Sequence, residues 1–363
     1  MRPTDAMKLL LTTDAVGGAW TFAIALAESL RPRGVSVALA CMGPRPSAAQ
    51  REAARFAGVT ALRESDFRLE WMEDPWTDVD AAGEWLLAIA RELGPDVVHV
   101  NGFAHSALDW QVPVVLGVHS CVPSWWRAVH GVPAPAEWDE YRRRVRSALN
   151  AAATVVFPTA SFRRAVELEH GPVDDGRMIH NGARGVRRGP GKESLVLAAG
   201  RFDDAGKNLS VLERVAAGIK WPLVAAGRAP SGGAGFQSLG HLERDALHGW
   251  QARASIMIHP ARYEPFGYVP LEAALAGCAL VLSDIPTLRE LWDGVALFVD
   301  PDDADGFARA VQQLIDQPDA RSELSARASE RARRYSLDAM GESYLAAYSD
   351  VIAARAAEVT CAS

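Results

Sequence analysis

Short apolar runs alternate along this chain with stretches whose apolar positions return every three or four residues. Residues 8–12 form the first run. Over 21–30 the apolar residues Phe22, Leu26 and Leu30 fall on one helical face, and 35–40 is apolar again. The alternation continues with helix 85–93, strands 97–100 and 114–118, helix 138–152 and strand 154–157. It restarts beyond residue 185 with strand 195–199, helix 209–217, strand 223–226, helix 244–250, strand 255–259, helix 268–276, strand 279–283 and helix 304–316. Such alternation predicts an α/β fold with parallel sheets covered by helices on both faces. The stretch Gly185-Val-Arg-Arg-Gly-Pro-Gly191 has the composition of a linker, which sets the expected division near residue 188, with domains 1–188 and 189–336. Residues 66–80 show no clear element, and the Ser-Gly-Gly-Ala-Gly run at 231–235 reads as a flexible loop. Two doubly wound sheets in series would bring two sets of carboxyl strand ends to one cleft, and ligands bind at those edges.

Length supports two domains, because a single core rarely grows past about 250–300 residues and this chain has 363. The 38 basic and 45 acidic residues give a net charge of −7, which argues against a nucleic-acid binder or a protein held to anionic lipid by its overall charge. Cys41, Cys121, Cys278 and Cys361 show no metal-ligand or CxxC spacing and read as free thiols of a reducing cytosol. Residues 1–6 are polar, without a signal-like apolar stretch, and the longest near-apolar run, 271–282, is broken by Glu272 and too short for a bilayer. The expectation is a cytoplasmic protein without stable membrane insertion.

The chemistry concentrates in two segments. In His259-Pro-Ala-Arg-Tyr-Glu-Pro-Phe-Gly-Tyr-Val-Pro-Leu-Glu-Ala273 a strand ends near His259 and a helix starts near Gly267. Gly267 lets backbone approach a ligand closely, and the unpaired N–H groups of a helix start suit a diphosphate. Pro270 costs little in the first turn. Glu264 precedes the helix and Glu272 lies in its second turn. Carboxylates beside a diphosphate need other partners, and pairs of sugar hydroxyls are such partners. The second segment is Gly200-Arg-Phe-Asp-Asp-Ala-Gly-Lys-Asn208, which puts Arg201 at a strand end and Lys207 at the next helix start. A guanidinium fork and an ammonium at one sheet edge suit phosphate oxygens.

Arg201 and Lys207 followed by Glu-Pro-Phe-Gly-x4-Glu resemble the retaining, GT-B-fold glycosyltransferases of family 4. The resemblance runs over nearly the whole chain and takes in Asp14-Ala-Val-Gly-Gly18, Pro95-Asp-Val-Val-His99, His119, His180-Asn-Gly182 and Ser283-Asp-Ile-Pro286. It implies two Rossmann-like domains facing a cleft, with a last helix, about 337–355, crossing back onto the first. It implies that Arg201 and Lys207 hold the diphosphate, that Glu272 binds the ribose hydroxyls, and that Glu264 contacts the donor sugar. The backbone from Phe266 through Gly267, Tyr268 and Val269 to Leu271 would wrap the phosphates. Gly17 and Gly18 would approach them from the other domain, His241 and Leu242 would lie near the base, and His119 would sit beside the reacting sugar.

The implied activity is retaining transfer from a nucleotide-diphosphate sugar, with a UDP-sugar expected, to a hydroxyl of a small-molecule or glycan acceptor. A nucleotide-sugar epimerase on the same fold and a non-catalytic nucleotide-sugar binder remain alternatives. Asp78-Val-Asp80 and Asp303-Ala-Asp305 have the spacing of a metal-binding DxD pair, but the second reads as a helix start, so no catalytic metal and no other cofactor are expected. Trp20, Trp71, Trp76, Trp125 and Trp126 are candidate acceptor-stacking residues, against the ordinary role of tryptophan in core packing; Trp125 and Trp126 are expected in a loop. A helix at 48–56 lacks a large apolar face, and Arg142 to Arg146 reads as a solvated helix face, so the acceptor is expected to be soluble or only weakly membrane-associated.

Overall fold

The structure, a computed structural model, describes residues 6–186, 189, 191–228 and 235–362. Residues 231–234 of the expected flexible loop at 231–235, and residues 187, 188 and 190 of the expected linker, lie outside them. The chain packs as two compact units: Met1–Ser124, Pro133–Gly182 and Leu337–Ser363 form the first, and Trp125–Val132 with Ala183–Ser336 the second. The division therefore falls between residues 182 and 183, where the sequence places it near 188.

The first unit runs β1 (Met7–Asp14), α1 (Gly18–Leu30), β2 (Val35–Met42), α2 (Ala48–Ala57), β3 (Ala61–Glu64), α3 (Trp76–Leu93), β4 (Val97–Val100), β5 (Val114–Gly117), the first residues of α4 (Val122–His130, which from Trp125 onward belongs to the second unit), α5 (Asp139–Ala151), β6 (Thr154–Phe157), α6 (Ala160–His170) and β7 (Gly176–Met178). Its seven strands are ordered β3-β2-β1-β4-β5-β6-β7 and pair in parallel throughout. Strands β4, β5 and β6 are buried along their whole length, which explains their uninterrupted apolar runs. Two readings change here. The stretch left open at 66–80 contains the start of α3, entered from Pro75, and Trp125 and Trp126 lie in helix α4, not in a loop. Pro123 in the first turn of α4 is tolerated because its missing N–H is an orphan there.

The second unit runs β8 (Glu193–Ala199), α7 (Leu209–Gly218), β9 (Leu223–Ala226), β10 (Gln237–Gly240), α8 (Arg244–Arg253), β11 (Ala254–His259), α9 (Tyr268–Leu275), β12 (Ala279–Ser283), α10 (Pro286–Trp292), β13 (Leu297–Val299), α11 (Ala304–Asp316) and α12 (Pro318–Ala332). Its parallel sheet is ordered β10-β9-β8-β11-β12-β13. One apolar cluster, around Leu197, Met257, Leu280 and Trp292, covers one face; another, around Val196, Ile256, Val281 and Phe307, covers the other. Asp303 caps α11, its carboxylate accepting from Gly306 N at 2.7 Å, as the sequence reading of that acidic pair has it. The last helix, α13 (Leu337–Ala362), packs with the first unit, where Tyr344 and Tyr348 are buried and Gly341 lies against Ser29 of α1.

Each sheet reverses its strand order once, between β1 and β4 in the first unit and between β8 and β11 in the second. Next to the second reversal, where β8 and β9 end side by side, the backbones crowd. Gly227, just past β9, has φ +138°, and a Cβ there would fall 1.8 Å from the carbonyl oxygen of Gly200. Gly34 also has positive φ, +73°, but open space around it. Gly227→Ala should therefore cost about 3 kcal/mol, from backbone strain added to a clash that only backbone movement relieves. Gly34→Ala should cost about 1 kcal/mol, the conformational penalty alone. Denaturant melts of both variants check the ranking; equal losses would contradict it.

Candidate functional site

The reversal in the second unit sets the loops after β8 and β11 side by side. The β8 loop is stiff. Asp204 Oδ1 accepts from Gly206 N at 2.8 Å, and Asn208, at φ +58°, donates from Nδ2 to the carbonyls of Pro260 (3.0 Å) and Pro301 (2.7 Å). Three strand ends are thereby tied through one buried amide. Arg262 N adds a bond to Gly206 O at 2.9 Å.

On this support Lys207 Nζ lies 2.9 Å from Glu264 Oε2, and His259 Nε2, at the end of β11, lies 3.0 Å from the same oxygen. All three side chains are buried or nearly so. Since a carboxylate only accepts, His259 presents Nε2–H to it. Burial alone would raise the Glu264 pKa; the Lys207 ammonium and then His259 outweigh it and hold the carboxyl far below the usual range. Glu264 Oε1 has no partner among the described residues. Arg201 belongs to the same loop but is held differently: it is half-exposed and, among the described residues, meets Asp204 alone, at 3.3 Å. Asp204 also accepts from Trp125 Nε1 at 2.9 Å.

Helix α9 starts at Gly267, whose φ of +94° and closeness to Pro270 Cγ (3.0 Å from a built Cβ) require glycine. The first-turn amides of Tyr268 and Val269 have no intrahelical partner by construction. Phe266 and Leu271 are buried and anchor the turn. Glu272, in the second turn, is buried and forms a second cluster. Arg244 donates to its Oε1 at 2.6 Å, and His248 Nε2 lies 3.5 Å from the same oxygen. Burial opposes ionisation of Glu272, but His248 and Arg244 together lower its pKa. Oε2 of Glu272 has no partner among the described residues. The Tyr268 hydroxyl and Arg244 Nε are buried without hydrogen-bond partners there. His241 is exposed just past β10, and Leu242 packs against the core.

In the first unit the β1–α1 turn carries Gly17, at φ +70°, and Gly18, with open space where a side chain would be. His119 follows β5; its Nε2 lies 2.9 Å from Asn101 Oδ1, and its ring packs 4.1 Å from that of Phe22. Of the tryptophans, Trp20 is buried in α1 and Trp71 is exposed. Trp76 opens α3 with Arg144 4.6 Å over its ring, and Trp126 packs on His130 with ring centroids 4.5 Å apart. The structure thus joins Lys207 to Glu264, keeps Glu272 in its own cluster, and places Trp125 against the β8 loop. Sequence reasoning missed His259, Arg244, His248 and Asn101. His259 carried a signal, its place at a strand end; Arg244 and His248 carried only their four-residue spacing on one helix.

Residues 16–184 match the family model described as Glycosyltransferase Family 4, and residues 184–335 match that described as Glycosyl transferases group 1. A glycogen synthase of Mycobacterium tuberculosis is 38% identical over 95 residues, 26% of this chain and 23% of that protein. A phosphatidyl-myo-inositol mannosyltransferase of Mycolicibacterium smegmatis is 40% identical over 90 residues, 24% of this chain and 23% of that protein. These alignments span about a quarter of each relative. Among solved structures, sucrose-phosphate synthase from Thermosynechococcus elongatus superposes with a TM-score of 0.81 at 18% identity, covering 96% of this chain and all of that one. Anabaena HepE in complex with UDP and glucose gives 0.75 at 16%, covering 95% and 100%. With both halves matched in succession by glycosyltransferase models and each folded as a doubly wound parallel sheet, the chain belongs to the glycosyltransferases of the GT-B fold.

Proposed function

We propose that this protein transfers a glycosyl group from a nucleoside-diphosphate sugar, with UDP as the nucleotide, to a hydroxyl acceptor with retention of configuration and without a metal ion. The observation that carries this reading is the common state of Glu264 and Glu272. Each is buried or nearly so and ionised, each has one oxygen held by a cation and a histidine, and each has the other oxygen without a partner among the described residues. Such a carboxylate is an oriented acceptor for hydroxyls. Glu264 then takes hydroxyls of the sugar and Glu272 those of the ribose, as in the family. Lys207, Arg201 and the first-turn amides of α9 take the growing charge of the departing diphosphate. The bond from C1 to the phosphate oxygen breaks, the acceptor oxygen bonds to C1 from the same face, and its proton goes to a phosphate oxygen. No general-base carboxylate is needed.

The acceptor is read as a soluble or only weakly membrane-associated molecule bound by the first unit. The arginines that would draw anionic lipid are matched by carboxylates: Arg51 by Glu64, Arg143 by Glu140, and Arg144 by Asp80 and Glu140. Among the described residues no helix is long and apolar enough to cross a membrane.

The function is tested by a thermal-shift panel of UDP, GDP, ADP and dTDP with their sugars, followed by turnover assays in EDTA. UDP at 100 times its dissociation constant should stabilise by about 2.7 kcal/mol, and transfer should persist in EDTA. A strict requirement for Mg²⁺ or Mn²⁺ would reject the metal-free mechanism, and donor turnover without an acceptor would favour an epimerase.

Lys207→Met should cost about 2.7–4 kcal/mol of transition-state stabilisation. It should also move the acidic limb of the kcat/KM profile upward. Because the folded-state pKa of Glu264 is depressed, the stability from its ion pair is present above the ordinary carboxylate pKa of about 4.3 and lost as pH falls toward the folded value. Removing the ammonium shifts that window to higher pH. An unmoved limb would show that Glu264 ionisation does not govern activity.

The two glutamates should separate in calorimetry. Glu272→Gln should weaken binding of UDP itself, whereas Glu264→Gln should spare UDP and impair turnover of the full donor. Equal effects on UDP binding would reject that division.

A further inference from the structure

Three strand ends of the first unit meet around one amide. β1 brings Thr12, β4 leads to Asn101, and β5 ends at Gly117, two residues before His119. Asn101 is fixed on the side of β1. Its backbone N–H donates to Thr12 Oγ1 at 2.9 Å, and its Nδ2 donates to the Thr12 carbonyl at 2.7 Å. A backbone carbonyl only accepts, so the amide NH2 must face Thr12 and Oδ1 must face the other way. There it lies 2.9 Å from His119 Nε2. Oδ1 also only accepts, so Nε2 of His119 carries the hydrogen. Burial pushes the His119 pKa down to about 4, so the ring is neutral near pH 7. Nδ1 is then a bare lone pair, and it has no partner among the described residues.

The surroundings are built to keep that arrangement. His99 is buried beside it, with Nδ1 2.6 Å from the hydroxyl of Tyr348 on α13. Burial, and then His119 itself, hold His99 well below the ordinary histidine range, so neither ring brings a positive charge. The ring of Phe22 closes one side of His119. Gly117 makes the room. A Cβ there would fall 2.5 Å from His99 Nε2, 2.7 Å from Asn101 Oδ1 and 3.1 Å from His119 Nε2. Its φ lies outside the left-handed region, so the missing side chain serves the three polar groups and not the backbone.

We propose that Asn101 is a positioning residue that holds His119 as the Nε2–H tautomer, so that Nδ1 accepts a hydrogen bond from a hydroxyl of the donor sugar. The second half of this statement rests on the reading of His119 as the residue beside the reacting sugar. A neutral acceptor suits that place. It orients a hydroxyl without adding positive charge near a carbon that itself becomes positive as the diphosphate leaves, which an imidazolium would do.

The test is a long-range proton–nitrogen spectrum of the full chain labelled with 15N-histidine, the His119 signals being those lost in His119→Gln. At pH 7, Nε2 of His119 should be the protonated ring nitrogen and Nδ1 the unprotonated one, and the pattern should hold down to about pH 5, a unit above the depressed pKa. An Nδ1–H tautomer, or an imidazolium at pH 7, would overturn the proposal with no variant needed. In Asn101→Ala the His119 signals should move to a mixture of tautomers, kcat should fall about tenfold, the equivalent of one net hydrogen bond, and UDP affinity should stay unchanged. A His119 spectrum unaltered in Asn101→Ala would overturn the role of Asn101 whatever the activity. Full-rate donor turnover in His119→Ala, with the spectra as expected, would overturn the sugar contact and leave the tautomer assignment standing.

Discussion

A parallel sheet covered by helices on both faces has no free face, and its backbone polar groups are consumed along the ladders. What remains open to a ligand is the row of strand ends. The candidate functional residues of this chain obey that constraint. In the second unit, Arg201 and Lys207 follow β8, and His259 and Glu264 follow β11, the two strands on either side of the order reversal. In the first, Gly17 and Gly18 follow β1, Asn101 follows β4 and His119 follows β5. Helices springing from opposite faces at a reversal leave a gap between adjacent loops, and in both units the polar clusters occupy that gap.

The second governing factor is the cost of burying charge. A buried carboxylate is stable only if cations and donors replace its water. Glu264 and Glu272 solve this alike with different partners, Lys207 and His259 for the one, Arg244 and His248 for the other. In each the partners converge on one oxygen. A fully satisfied carboxylate would be a structural element; one satisfied on a single oxygen is a fixed acceptor. The same pairing thus supports the fold and leaves the second oxygen without a partner among the described residues. In the first unit the answer to burial is the opposite: His99 and His119 give up their charge, and the cluster stays neutral.

Both sheets were legible in the sequence because fully buried strands such as β4 and β6 read as unbroken apolar runs. The four missed strands, β3, β7, β10 and β13, are short and contain no buried residue: β3 and β13 are half-exposed along their whole length, β7 largely so, and β10 is mostly exposed. Helices α4 and α10 were hidden by prolines in their first turns, which look like breakers and are not. At the site, Lys207, Glu264 and Glu272 stood out through their spacing in a motif. Their partners did not, because Arg244 is 28 residues from Glu272 and nothing local marks a pairing made only when helices α8 and α9 come together. Asn101 was invisible for another reason. Its importance lies in which way its amide faces, and the Thr12 carbonyl on a neighbouring strand decides that.

The two cations of the β8 loop differ in how much freedom they retain. Lys207 is already immobilised by Glu264 in a buried setting, whereas Arg201 is half in solvent with one long contact to Asp204. An anion arriving at this edge therefore meets one side chain whose rotameric entropy is already spent and one that must still lose it, a loss of up to about 2 kcal/mol for an arginine. The first contributes a fixed field at any temperature. The second contributes enthalpy against ordering, so its share of the attraction grows on cooling and fades on warming. If this loop holds a diphosphate as proposed, its grip is part permanent and part thermally adjustable, and the adjustable part resides in Arg201.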